Sequence, residues 1–435
     1  MAYAVGLLVL LVGLVASIAL HELGHMIPAK RFGVRVSRYM VGFGPTLWSR
    51  TRGETEYGIK AIPLGGYVRL VGMLPSAEAV GARPGAGRMG EMIQDARDAS
   101  ADEIRPGEEH RAFYRLSAPK KVVVMLGGPV MNLVIAAVLL AVVLVGIGMP
   151  GAATTTVGMT LPCVLPVDAP ADRVCTSADQ PTPSAAAGLQ VGDVLLSYGG
   201  FPIGTWEDFL AAVREVDGGA IPLVVDRAGE QITLSVSPIV TERPVFDEQN
   251  RPVLGENGET VTKPARYIGL SPTSTMERQP VSQVVQVVGS AVWETTKLMV
   301  ALPVKLFDIA KVMAIGGERD PSIMGLVGVG RAAGEIAATD APGVGLAERM
   351  LVLIASLNIA LFVFNLIPLL PLDGGHVAGA LWEGAKRQRA RLRGLPRPVP
   401  ADMARMMPLA YGMFLVLTAM GVFLIVADIV RPVTF

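Results

Sequence analysis

Four long apolar segments dominate the hydrophobic pattern of the chain. They cover residues 3–20, 122–149, 351–370 and 411–430, and Asp428 is the only charged residue within them. A helix needs ~20 apolar residues to cross the hydrocarbon core of a bilayer, which each segment roughly supplies. The pattern therefore predicts four transmembrane helices with soluble segments between them.

The segment between the first two spans shows a different pattern. Residues 34–39 and 57–72 alternate apolar and polar positions and are broken by Gly- and Pro-rich turns. Such alternation predicts a β-hairpin, here placed against the membrane. Residues 79–109 are rich in Gly, Ala, Pro and acidic residues without apolar periodicity, which predicts a flexible cytoplasmic insertion.

The segment between the second and third spans predicts a small α+β domain. An Ala-Gly-Leu-x-x-Gly-Asp-x-Leu pattern within residues 185–196 is followed by an amphipathic stretch at 206–216 and alternating strands at 221–227 and 231–236. The pattern resembles a PDZ domain of the permuted kind found in bacterial proteases. Such a domain binds an extended peptide at a sheet edge. Residues 280–314 then predict an amphipathic helix that returns to the membrane surface.

The predicted fold is a polytopic α-helical membrane protein with a membrane-associated β-hairpin and one extracytoplasmic PDZ-like α+β domain. Its expected parts follow one another along the chain. They are the first span with the hairpin (1–75), the insertion (76–119), the second span (120–150), the PDZ-like domain (151–275), amphipathic helices with a linker (276–348) and the last two spans (349–435).

Composition agrees with a membrane protein. Only 17% of the residues are charged, against about a quarter in soluble domains. Net charge is zero and no basic block is interleaved with aromatic residues, so nucleic acid is not an expected partner. Cys163 and Cys175 are the only cysteines, which excludes a zinc ribbon. They form a disulfide if their loop is extracytoplasmic, and two unpaired thiols are an equally supported alternative.

Basic residues concentrate in the loops between spans one and two and between spans three and four. They include Lys30, Arg31, Arg35, Arg38, Arg50, Arg52, Lys120 and Lys121 in the first loop, and Lys386, Arg387, Arg389, Arg391, Arg393 and Arg397 in the second. Lys and Arg favour the cytoplasmic side of a membrane. The N-terminus, residues 150–345 and the C-terminus are therefore expected outside.

The end of the first span carries the motif His21-Glu22-Leu23-Gly24-His25. On a helix, His21 and His25 share one face and reach one metal ion. Zinc suits imidazole ligands and lowers the pKa of a bound water from ~15.7 toward 7. Glu22 is placed to take the proton of that water and to deliver it to a leaving amide nitrogen. The motif predicts a metallopeptidase site at a membrane boundary.

The third span supplies a candidate third ligand. Asp373 follows an apolar run that reaches the same side of the membrane as the histidine pair, and Pro368 and Pro371 break the helix before it. A carboxylate there completes a His2Asp site. Asn365 is a candidate for hydrogen bonding to substrate, with a helix-to-helix hydrogen bond as the alternative. We expect His376 beside the site rather than on the metal, and a solvated His110.

The two motifs together resemble the site-2 protease family, in particular the regulator-of-sigma-E type of bacterial protease that cleaves anti-sigma factors. The likeness covers nearly the whole chain, including residues 42–44, 62–68, 128–132 and the PDZ segment. By this resemblance His21, His25 and Asp373 bind one zinc ion, Glu22 is the base and Asn365 contacts the substrate.

The resemblance implies an intramembrane zinc metalloprotease of a bacterial inner membrane, whose substrates are single-span proteins such as anti-sigma factors. A spanning helix must unwind before it is cut, because its peptide groups are hydrogen-bonded internally. The hairpin near Tyr67 and Val68 is expected to receive the unwound strand. The alternatives are a catalytically inactive membrane PDZ scaffold and an ion-coupled transporter, which would require inverted repeats. The oligomeric state is left open.

Overall fold

The computed structural model describes residues 1–81, 87–166, 173–176, 178–245, 253, 260–317, 319–338, 345–396 and 398–433. The chain forms two compact units. We call them the helical unit, which comprises residues 1–147, 279–340 and 346–435, and the sheet unit, which comprises residues 148–278 and 341–345.

The chain contains 11 α-helices and 10 strands among the described residues, with the short 3-10 segments and the π-helical turn Val142–Ile147 omitted here. In order they are α1 (Ala2–Arg31), β1 (Val36–Arg52), β2 (Thr55–Leu70), α2 (Ala77–Val80), α3 (Gly87–Ala101), α4 (Ala118–Ala141), β3 (Met149–Thr160), α5 (Pro183–Ala186), β4 (Val194–Tyr198), β5 (Phe201–Pro202), α6 (Trp206–Glu215), β6 (Ile221–Arg227), β7 (Glu230–Val236), β8 (Ile239–Pro244), β9 (Thr262–Tyr267), β10 (Leu270–Glu277), α7 (Val281–Ile315), α8 (Leu326–Ala338), α9 (Leu346–Asn365), α10 (Asp373–Leu392) and α11 (Met407–Val430).

Four helical segments among the described residues are long and apolar enough to cross a membrane, as predicted. They are Ala2–Arg31, Ala118–Ile147, Leu346–Asn365 and Met403–Val430. The first continues well past the apolar segment, so the His-Glu-x-x-His motif is its last part. The third ends at Asn365, earlier than the predicted residue 370, because the Pro-rich turn that follows does not continue the helix.

Two glycines allow α1 and α4 to touch through their backbones. A Cβ atom at Gly24 would lie 2.2 Å from the carbonyl oxygen of Gly127, and one at Gly127 would lie 2.0 Å from that of Gly24. Small residues permit this close approach where no hydrophobic force drives helices together in lipid. The crossing brings α4 directly against the motif on α1.

The predicted hairpin is longer and more bent than the sequence indicates. β1 and β2 pair antiparallel, and residues 38–41 of β1 pair with residues 56–59 on one side and residues 66–69 on the other. Register shifts near Gly42 and Gly44, both with positive φ, let β1 bend back on its partner. Residues 66–70 therefore form an outer strand of this small sheet.

The segment from 79 to 109 differs from the expectation of a flexible insertion. Residues 87–101 form α3, and its buried Arg97 forms an ion pair with Asp402 at 2.5 Å, while Ser100 exchanges hydrogen bonds with the backbone of Leu74. Both contacts are remote in sequence, so the local lack of apolar periodicity did not indicate them.

The sheet unit contains one main sheet with strand order β10-β3-β4-β6-β7. The expected helix at 206–216 is α6, held at its start by a capping box between Thr205 and Asp208. Phe209 of α6 packs on Tyr198 and a core of buried strand residues. Cys163 and Cys175 form a disulfide, which settles the alternative that the sequence left open.

Candidate active site

The motif on α1 places two imidazoles on one helical face. The Nε2 atoms of His21 and His25 lie 3.2 Å apart, and His25 is 5% exposed. The apolar span runs into the motif without a helix breaker, and Pro28 follows only after it. The i, i+4 spacing then turns both rings toward α4 and α10, as expected for a shared ligand position.

The carboxylate that faces the two rings comes from the first residue of α10. Oδ2 of Asp373 lies 3.4 Å from Nε2 of His21 and 3.3 Å from Nε2 of His25. The following glycines make this placement sterically feasible. A Cβ at Gly374 would lie 2.3 Å from the oxygen of Ile367, and one at Gly375 would lie 2.6 Å from a backbone nitrogen of the same turn.

The three ligand atoms match the geometry of a tetrahedral zinc site. Bonds of about 2.0–2.2 Å at tetrahedral angles place neighbouring ligand atoms about 3.3–3.5 Å apart, close to the three separations here. All three atoms lie within 4.8 Å of one another. Oδ2 of Asp373 is buried and has no hydrogen-bond donor among the described residues. A cation held between these atoms would satisfy it, with the fourth position of a tetrahedral site left for water.

Each imidazole has a second partner that fixes its orientation. Nδ1 of His25 lies 2.8 Å from the carbonyl oxygen of Val124, so it carries the proton and leaves Nε2 free for a metal. Nδ1 of His21 lies 3.1 Å from the carboxamide of Asn132 on α4.

Asn132 is a functional residue to which the sequence analysis gave no role. It is 1% exposed, and its Oδ1 has no partner among the described residues while Nδ2 faces the imidazole. If His21 binds a metal ion through Nε2, its Nδ1 carries the proton and donates a hydrogen bond. The Asn132 carboxamide then accepts this bond through Oδ1, so the oxygen and nitrogen of the amide exchange positions. A lone carboxamide inside an apolar span was the available signal.

One cavity of about 320 Å³ contains every predicted site residue. Its lining comprises His21, Glu22, His25, Gly66, Tyr67, Val68, Leu70, Met73, Met125, Asn365, Pro371, Asp373 and His376. His376 thus lies beside the ligand group, as expected, whereas His110 is not part of the lining. The cavity joins α1, the outer strand of the hairpin and the turn before α10.

The hairpin lies beside Glu22 of the motif. The backbone N–H of Val68 faces the carboxylate of Glu22, and both residues line the cavity. The hydroxyl of Tyr39 donates to the carbonyl oxygen of Ala19 at 2.6 Å. Burial, together with the nearby Glu22 carboxylate, raises the pKa of Tyr39 to about 12, so this donor stays protonated at neutral pH.

Comparison with known proteins gives matches along the whole chain. The model of peptidase family M50 matches residues 9–396. Zinc metalloprotease Rip1 of Mycobacterium tuberculosis is 32% identical over 437 residues, which cover 100% of this chain and 99% of the relative. Metalloprotease MmpA of Caulobacter vibrioides is 28% identical over 89% of each chain. Zinc metalloprotease RasP of Oceanobacillus iheyensis is 27% identical over 85% of this chain and 88% of its own.

Proposed function

The chain belongs to peptidase family M50 and is a zinc metalloprotease, and from this premise we propose that it hydrolyses peptide bonds within transmembrane segments of single-span proteins. One observation carries the proposal. The metal-binding group His21, His25 and Asp373 is built on a helix that is itself long and apolar enough to cross a membrane. Substrate must therefore meet the site at or within the bilayer.

Each site residue has a separate role in the proposed reaction. His21, His25 and Asp373 hold zinc, which when bound acidifies water and polarises the scissile carbonyl. Glu22 accepts the proton of the attacking water and returns it to the leaving nitrogen. The backbone N–H of Val68 faces the Glu22 carboxylate and favours its charged form. Asn365, on the same cavity wall, is positioned to hydrogen-bond the substrate backbone.

The outer strand of the hairpin is the proposed receptor for unwound substrate. Residues 66–70 pair with β1 on one side, and no other described strand pairs with them on the other. Successive backbone N–H groups of an edge strand point alternately toward the paired strand and away from it. Because the N–H of Val68 faces Glu22, it points to the side of residues 66–70 that β1 leaves free. A substrate strand added there lies directly beside the ligand group.

Val68→Pro tests both roles of this edge, since it removes the backbone N–H that faces Glu22 and disturbs the strand to which substrate adds. We expect bound zinc to be unchanged and cleavage of a single-span substrate to fall strongly, whereas Val68→Ala, which keeps the N–H, retains cleavage. Normal turnover by the proline variant would rule out this edge as the receptor.

We further propose that the sheet unit is an extracytoplasmic PDZ-like domain that admits substrates already trimmed outside the membrane. Its strand, helix and paired-strand order agrees with this class, and the Cys163–Cys175 disulfide favours an oxidising compartment. The basic loops favour cytoplasmic placement of residues 21–121 and 371–410 in a bacterial inner membrane. Deletion of residues 155–272 should allow cleavage of untrimmed substrate, and unchanged selectivity would contradict the filter.

Anti-sigma factors are the proposed substrates. The motifs and their spacing resemble those of the bacterial proteases that cut such single-span proteins. A panel of single-span proteins, tested for cleavage within the spanning segment, identifies the preferred class. Cleavage confined to soluble segments would contradict the proposal that substrates are cut within their spanning segments.

The test of the central proposal measures zinc content and cleavage together, on protein purified in detergent. We expect Glu22→Gln to keep zinc and to lose cleavage by about 10²–10⁴-fold, the usual share of a general base. Asp373→Ala should lose both. Glu207→Gln, the same change on α6, is the matched control and should behave as wild type. A zinc-loaded Glu22→Gln variant that cleaves normally would exclude Glu22 as the base. If the wild type neither holds zinc nor cleaves, the inactive scaffold is the better interpretation.

A further inference from the structure

A second cavity lies between α10 and the start of α11, separate from the metal site. Its volume is about 390 Å³, within the range of about 300–1,000 Å³ that is typical of small-molecule sites. One wall is a single face of α10 that includes Gly379, Trp382 and Lys386, and the facing wall includes Arg405 and Leu409.

The floor of this cavity is apolar and tightly built. Leu369 and Leu370 of the turn before α10 and Met406 are among the apolar residues of its lining, which we call the floor. Gly379 permits the walls to approach, because a Cβ there would lie 2.4 Å from Sδ of Met403. The Met403 side chain therefore packs directly on the backbone of α10.

The charged groups of the cavity leave an excess of positive charge. Lys386 is half-buried and has no carboxylate partner in the part of the chain that the structure describes. Nε of Arg405 lies 3.0 Å from Oδ2 of Asp402, but that carboxylate already forms an ion pair with the buried Arg97 at 2.5 Å. Lys386 and Arg405 therefore leave a net positive charge that an anionic ligand can neutralise.

The position of the cavity places it at a membrane boundary. Met406 and Leu409, which line it, belong to the first turns of the membrane-crossing segment Met403–Val430. On α10, Leu381 and Trp382 are 59% and 64% exposed beside basic residues. Exposed apolar and basic residues on one helix indicate an interfacial helix, and tryptophan favours the headgroup layer.

We propose that this cavity binds the headgroup of an anionic glycerophospholipid. The phosphate lies between Lys386 and Arg405, the glycerol fills the apolar floor, and the acyl chains run along α11 past Leu409. A lipid suits both halves of the cavity, since cations line one part and leucine and methionine the other. The turn that forms the floor also leads into Asp373, so a bound lipid stabilises the segment that supplies the third metal ligand.

Native mass spectrometry of the full-length protein from micelles with equal amounts of phosphatidylglycerol and phosphatidylcholine tests the site. We expect the wild type to retain phosphatidylglycerol selectively. Lys386→Gln with Arg405→Gln should lower the ratio of retained phosphatidylglycerol to phosphatidylcholine by about 25-fold, since each cation near an anionic headgroup contributes about fivefold.

Two further variants separate a built site from diffuse surface charge. Arg389→Gln removes the same charge from α10 outside the cavity lining and should leave the ratio within about twofold of wild type, whereas Lys386→Arg should preserve it. Zinc content equal to wild type shows that each variant is folded. A double variant that keeps the wild-type ratio, a loss for Arg389→Gln as large as that of the double variant, or no selectivity in the wild type would overturn the proposal.

Discussion

The helical unit and the sheet unit differ in where their large apolar side chains lie. In the sheet unit, Leu195, Leu223 and Val225 are completely buried. In the helical unit, large apolar side chains such as Leu8 and Leu415 are 60% and 66% exposed. Its most deeply buried residues include a set of polar ones, Ser17, Asn132, Asn358, Glu383 and Asp428, each 2% exposed or less.

The contrast shows which forces hold each unit. Apolar burial stabilises the sheet unit in water. Lipid removes that driving force between helices, so the helical unit depends on close packing and on polar contacts. Asn358 donates to Ser17 at 2.9 Å between α9 and α1, and Lys121 forms an ion pair with Glu383 at 2.8 Å between α4 and α10. Polar residues in the helical unit therefore mark either helix contacts or the metal site.

The largest loss of stability in this comparison is expected from a substitution of Asp428. Its carboxylate pairs with Arg319 at 2.8 Å and accepts the backbone N–H of Gly328 at 2.7 Å, and both partners of the ion pair are buried. Asp428→Leu leaves the arginine uncompensated and should lower the free energy of unfolding in detergent by about 3–5 kcal/mol.

The matched control replaces both partners of that pair. Arg319→Met with Asp428→Leu should recover part of the lost stability, because an apolar pair of similar volume leaves no unpaired charge. A single variant as stable as wild type would show that the pair does not anchor α11.

The corresponding experiment in the sheet unit removes an apolar side chain. Leu223→Ala leaves a cavity in the fully buried core and should lower the free energy of unfolding of that unit by about 2–5 kcal/mol. Val240→Ala, at a position 69% exposed, should change it by less than about 0.5 kcal/mol. Zinc content should stay constant in both, because all three ligands belong to the helical unit. Equal effects of the two variants would contradict the assignment of the core.

The smallest change is expected in zinc affinity, from a substitution of Asn132, the polar residue beside His21. Asn132→Ala removes the partner of Nδ1 of His21 and should raise the zinc dissociation constant by about 10–100-fold, measured by competition with a chelator. Val134→Ala, on an exposed part of the same helix, should leave the constant unchanged. Wild-type affinity in the Asn132 variant would show that its carboxamide serves only helix packing.

Local patterns predicted much of the helical unit. The four apolar segments indicated the four spans, and the spacing of His21 and His25 indicated the ligand pair, since both depend on residues close in sequence. The same reasoning missed α10, because residues 373–392 are too polar for a span and were read as a basic loop. It also missed the helix α3, whose contact with Asp402 joins residues 305 positions apart.

By itself, the sequence determined which helices are long and apolar enough to cross a membrane, which face of α1 carries the histidines and where the small β-rich unit begins. Hydropathy and periodicity are properties of neighbouring residues, so they suffice for these points. Only the tertiary structure decided that Asn132 reaches His21 across 111 residues, that Val68 meets Glu22, and that a lysine of α10 faces an apolar cavity. Those contacts depend on glycines that let two backbones approach within van der Waals distance, and no local pattern records which backbones they join.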